Sequence, residues 1–102
     1  MEHKGYVYMM TTTKDKVIYI GVTSSLKRRV QEHAEGRGSV FTSHYSCKKL
    51  VYWEAFSDIE QAIAREKRLK RYKREWKIAL IESINPDWDD LGALVVVDPS
   101  IA

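Results

Sequence analysis

The chain is 102 residues long, 44% hydrophobic and 30% charged, with a net charge of +3. That size suits one domain around one core, and the composition is that of a folded globule, not of a low-complexity or disordered segment. Its apolar runs stop far short of the roughly 20 residues that cross a bilayer, its first residues lack the apolar region of a secretory signal, and a single cysteine, Cys47, offers neither an internal disulfide nor a Cys-rich zinc site.

The expected location is therefore the cytoplasm. Charge is unevenly spread: residues 87–102 hold four aspartates and no base, which leaves 17 basic against 10 acidic side chains in residues 1–86, a net +7. A basic body favours a polyanionic partner, although many soluble proteins that bind none are equally basic.

Residues 6–12 and 16–21 are rich in aromatic and β-branched side chains and flank a short polar stretch, which predicts a β-hairpin. A turn centred between Thr13 and Lys14 sets Tyr8 opposite Tyr19 on one face. After Gly21, the hydroxyls of Thr23, Ser24 and Ser25 can cap a helix over residues 26–35, with Gly36 as its stop. Leu26, Val30 and Ala34 form its buried stripe. Arg29 and His33, four apart, sit at the edge of that stripe, where the stems pack and the heads can reach a cleft. Residues 37–49 read as a loop anchored by Phe41 and Tyr45, and residues 50–56 as a third strand.

Ser57 followed by Glu60 has the spacing of a capping box and starts a second helix running to about residue 72. Ile59, Ala62, Ile63 and Leu69 make its apolar stripe, and Glu66 falls in the middle of it. An unpaired buried carboxylate costs several kcal/mol, so Glu66 must pair with a base, bind a cation or line a pocket. A third helix over residues 74–84 is expected to bury Trp76, Leu80 and Ile84 and to end before Pro86, with Trp88 as a further anchor. Residues 92–102 read as a tail, either a short edge strand or frayed. The fold class is α+β: a small, mainly antiparallel three-stranded sheet flanked by helices, in one domain over residues 1–91.

The strand Tyr6-Val7-Tyr8, the hairpin into Tyr19-Ile20-Gly21, an arginine eight residues after that glycine and a glutamate on a later helix together resemble the GIY-YIG nuclease superfamily, in particular its short stand-alone bacterial members. The resemblance spans residues 5 to about 91 and implies a metal-dependent endonuclease acting on DNA, in a setting of repair or recombination. Tyr8 and Tyr19 match the two motif tyrosines, Arg29 the helix arginine, His33 the histidine of the homing-endonuclease branch, and Glu66 the glutamate that holds a single Mg²⁺ or Mn²⁺. Asn85 matches the family's late asparagine with a longer gap from Glu66. Tyr6 replaces the first motif glycine, Val22 stands where the excision-repair branch has a lysine, and His44 stands where relatives carry a lysine or arginine.

Phosphodiester hydrolysis needs an activated water, neutralised phosphate charge and a stabilised leaving oxygen. By family analogy Tyr8 orients or activates the water; with an ordinary pKa of about 10 it needs help from Arg29, the metal, His33 or Tyr19. Lys27, Arg28, His44, Lys48, Lys49, Arg65, Arg68 and Arg71 are candidate phosphate contacts of a sequence-independent, salt-sensitive kind. Bland readings of the same residues stand beside these: a cross-strand tyrosine pair, an Arg29–Glu66 ion pair between helices, a surface His33 and a solvated basic helix face. The rival functions are a nucleic-acid-binding module that kept the fold without turnover, and a domain whose basic helix docks an acidic protein. A monomer or weak homodimer is expected.

Overall fold

The computed structural model describes residues 3–15, 17–35 and 47–97. In chain order these form β1 (Gly5–Thr11), β2 (Ile18–Thr23), α1 (Leu26–Ala34), β3 (Lys49–Phe56), α2 (Ile59–Lys70), α3 (Arg74–Ile84) and α4 (Gly92–Val97). The helix stop at Gly36, the loop anchors Phe41 and Tyr45 and the phosphate contact at His44 lie outside the described residues.

The sheet has the order β2-β1-β3 with both pairings antiparallel, as expected of the fold class. All of β1 is buried because helices cover both of its faces. Tyr6, Tyr8 and Met10 point to one side, packing with Leu26 and Val30 of α1, Leu50, and Val95 of α4. Val7 and Met9 point to the other, packing with Ala62 and Leu69 of α2 and Ile81 of α3. Each fully buried Met or Leu contributes about 1.5–3 kcal/mol. The pairing of β1 with β3 slips between Met9, opposite Tyr52, and Met10, opposite Leu50. Val51 is the extra residue of this bulge, so Val51 and Tyr52 both pack on the α2–α3 side. At Gly5 the sheet meets the start of α2 so closely that a Cβ would lie 2.7 Å from the Asp58 carbonyl oxygen.

Several local expectations are corrected. The hairpin turns one residue later than anticipated: Asp15 takes a positive φ of 56°, a conformation that Asp tolerates better than most residues, and its carboxylate accepts from Thr11 and from Lys49. Tyr8 therefore faces Gly21, and Tyr19 faces Met10. A two-residue slip preserves side-chain facing, so both tyrosines still share a face. The cap of α2 is Asp58, which accepts from the Gln61 N–H at 2.8 Å, and not Ser57, whose hydroxyl turns to the Gln61 side chain. Ser25 caps α1 as expected.

On α3 the buried residue is Ile81, while Trp76 and Ile84 are 50% and 56% exposed. Ile81 and Asn85, four apart, face the sheet, and the expected stripe lies one residue off this line. The tail corrects the edge-strand reading: residues 92–97 are helical, with Val95 fully buried against the α1 side. The Asp90 carboxylate accepts from Leu50 N–H at 3.1 Å and Gly92 N–H at 2.9 Å, and Leu91 N–H donates to the Leu50 carbonyl. These bonds occupy the free edge of β3 and turn the chain into a helix, overriding the β-propensity of the valines.

Candidate active site

Tyr8 comes from the middle of the central strand and Tyr19 from β2, and α1 lays its second and third turns across them. The Tyr8 and Tyr19 rings have centroids 6.2 Å apart, and the His33 ring lies 5.8 Å from Tyr8 and 6.1 Å from Tyr19. Space for the Tyr8 ring is made by Gly21 opposite it, where a Cβ would overlap the phenol. The glycine is thus required by side-chain volume across the ladder.

His33 is 2% exposed, not a surface residue. Its Nε2 lies 3.4 Å from the Tyr8 hydroxyl, a long hydrogen bond whose direction the tautomer decides. Burial, and then the charge of Arg29, holds the imidazole below its ordinary pKa, so it is neutral at pH 7. Burial also drives the Tyr8 phenol well above its ordinary value; Tyr19 raises it further through charge and a hydrogen bond, Arg29 opposes, and Glu66 adds the smallest push. In the resting site Tyr8 is therefore a neutral phenol, and the surroundings do not lower its pKa as a base at that position would require.

Arg29 reaches Glu32 of its own helix at 3.5 Å, so the Arg29–Glu66 ion pair is not formed. Arg29 Nε and His33 Nδ1 are both buried without a hydrogen-bond partner among the described residues. Two unsatisfied polar atoms one helical turn apart, beside two phenols, are costly to keep and mark a place prepared for another polar group.

Glu66 lies in the apolar stripe of α2, its side chain 16% exposed, and is paired at 3.4 Å with Lys70, which is 55% exposed. At Tyr8 its charge registers only as the smallest of the contributions that raise the phenol. No group of three or more His, Cys, Asp or Glu gathers among the described residues. One accessible carboxylate is a poor set for zinc but fits a hard divalent cation such as Mg²⁺, which keeps several waters and takes substrate oxygens as its other ligands.

The remaining expected residues divide. Lys27, Arg28 and Lys48 are exposed, and Arg68 and Arg71 line an open hollow of about 580 Å³ with Lys67 and Lys70. Arg65 is instead committed to the protein itself: its Nε and Nη2 grip the Glu54 carboxylate at 3.0 and 3.1 Å, and Glu54 also accepts from the Tyr52 hydroxyl. Lys49 is held by Asp15 at 2.9 Å. Both are thus ion-paired within the chain. Asn85 donates to the carbonyls of Val51 and Asp89 and accepts from the Asp89 N–H, which makes it a staple between α3 and β3. Two partners were missed, Glu32 for Arg29 and Lys70 for Glu66; their i,i+3 and i,i+4 spacings were the available signal.

Comparison with known proteins identifies the family and the fold. The family model described as the GIY-YIG catalytic domain matches residues 4–79. A UPF0213 protein of Streptococcus pneumoniae serotype 4 is 38% identical over 77 residues, covering 76% of this chain and 77% of its own. One from Haloquadratum walsbyi is likewise 38% identical, covering 76% and 85%. The solution NMR structure of a UPF0213 protein from Bacillus halodurans superposes with a TM-score of 0.54 at 28% identity, over 88% of this chain and 95% of that one. With the motif tyrosines and the helix arginine gathered on the α1 side of a matching fold, the chain belongs to the GIY-YIG family, among its short stand-alone members.

Proposed function

We propose that this chain is an endonuclease that hydrolyses phosphodiester bonds in DNA with the help of a divalent cation, Mg²⁺ or Mn²⁺, held by Glu66. The observation that carries this reading is the convergence of Tyr8, Tyr19 and His33, with ring centroids 5.8–6.2 Å apart, beside the partnerless Arg29 Nε. Arg29 Nε donates to a non-bridging phosphate oxygen and so acquires the partner it lacks. Tyr8 orients the attacking water. As the water attacks phosphorus it gives a proton to the Tyr8 oxygen, while the Tyr8 hydroxyl proton passes to Nε2 of the neutral His33, so the phenol is never left as a buried anion. The bond from phosphorus to the departing oxygen breaks, and that oxygen takes its proton from solvent. The cation supplies neutralisation of charge on the phosphate and the leaving oxygen.

One observation favours a second reading, a DNA-binding module without turnover: the resting Tyr8 is firmly protonated. Cleavage of labelled linear and branched DNA decides between them. Purified wild type should cut in Mg²⁺ or Mn²⁺ and stop on chelation, with Glu66→Ala and Tyr8→Phe slower by about 100-fold or more. Salt-sensitive binding by a wild type that cuts nothing in either metal would leave the module as the answer.

A further inference from the structure

We infer that Lys70 and Lys77 form a phosphate-binding subsite beside Tyr19, and that Lys70 reaches it by leaving Glu66; this second part rests on the reading of Glu66 as the cation ligand. The two lysines share a hollow of about 270 Å³ with Ile18, Tyr19 and Ile20, between the edge strand β2 and the α2–α3 elbow. The lining combines two lysines with the β2 residues Ile18, Tyr19 and Ile20, and among the described residues no carboxylate lines it. That chemistry suits one phosphodiester of a nucleic-acid strand, its charge against the lysines and its sugar against the isoleucines. Lys77 is half-buried yet has no ion pair among the described residues, so an arriving anion meets an uncompensated charge.

Lys70 lines the same hollow and is also the partner of Glu66. The Lys70 end of this i,i+4 pair is 55% exposed and its contact with Glu66 is 3.4 Å long, so the ammonium is held loosely and can swing to another anion. In the protein without substrate, Lys70 serves as the counter-cation of Glu66 and competes with a metal ion for it. A phosphate in the hollow draws Lys70 away and frees the carboxylate. Cation and DNA then favour each other's binding, each by the same factor.

Anisotropy of a short labelled oligonucleotide, titrated over a range of salt with chelator present, tests the subsite without metal. Lys70→Met and Lys77→Met keep the apolar stems, and each should weaken binding about tenfold and lower the salt slope by about one. Lys77→Arg should retain the slope. Lys4→Met, an exposed charge outside the hollow, should change affinity less than about twofold. Unchanged slopes in both lysine variants would overturn the subsite. Mn²⁺ binding to the free protein, followed by water-proton relaxation, tests the exchange: Lys70→Met should bind Mn²⁺ several-fold more tightly than wild type and Lys77→Met no differently. Equal affinities would overturn the exchange. Undiminished Mn²⁺ binding by Glu66→Ala would locate the failure in the reading of Glu66, with the subsite still judged by the DNA slopes.

Discussion

The two faces of the sheet treat buried polar groups in opposite ways. On the α2–α3 side, every hydrogen-bonding atom of Asn85's amide is engaged with Val51 or Asp89 or near them, and Glu54, Arg65 and Tyr52 close on one another. On the α1 side, Arg29 Nε and His33 Nδ1 are buried without partners, and Tyr8 sits where burial strongly disfavours its ionised form. Polar groups that complete each other hold a fold together. Groups that leave one another incomplete cost stability, and under the proposed function the substrate completes them. The difference separates Asn85, a motif match with a structural job, from Arg29 and His33.

Substitutions can break this comparison. The largest expected effect is on the incomplete side: Arg29→Met should lower cleavage by about 100-fold or more, while urea unfolding shifts by less than about 1 kcal/mol. A large loss of stability with cleavage per folded molecule intact would reverse the assignment. Asn85→Ala should do the opposite, costing about 2–3 kcal/mol because buried carbonyls lose their donors, with cleavage by the folded fraction unchanged. Gly21→Ala joins the two faces of the problem. Its methyl overlaps the Tyr8 phenol, and overpacking of this kind costs about 1–3 kcal/mol, so both Tm and cleavage should fall together.

Much of this was legible in the sequence because local chemistry and tertiary structure agree: the hairpin, the Ser25 cap, the third strand and the extent of α3. The failures occurred where a non-local partner decides. Register followed the fit of Tyr8 over Gly21 and the left-handed Asp15, neither visible in the spacing of apolar residues. The valines of α4 have strand propensity, yet Asp90 and Leu91 use the edge of β3 before they can pair with it. Trp76 looked like core, but Tyr72 edge-on and Lys73 over its ring provide cover at the surface. Site residues were nameable from the motif. That His33 is buried, that Arg65 answers Glu54 and that Lys70 answers Glu66 depended on which elements the fold brings together.

The smallest effect sharpens the comparison most, because it reads one of the incomplete groups directly. Burial, followed by Arg29, holds the His33 imidazole below its ordinary pKa of about 6.5. As pH falls, the unfolded chain takes up this proton before the folded one does. The stability that goes with a neutral His33 is therefore complete above about pH 6.5 and is lost as pH falls from there towards the lower folded value. His33→Gln carries no such proton, so its unfolding free energy should vary less between about pH 7.5 and 5.5 than that of wild type. Cleavage should respond in the same direction: if Nε2 accepts the Tyr8 proton, the acid limb of the wild-type profile lies below pH 6.5, and the limb disappears from the residual activity of His33→Gln. A limb that survives the substitution would place the titrating group elsewhere and reduce His33 to packing.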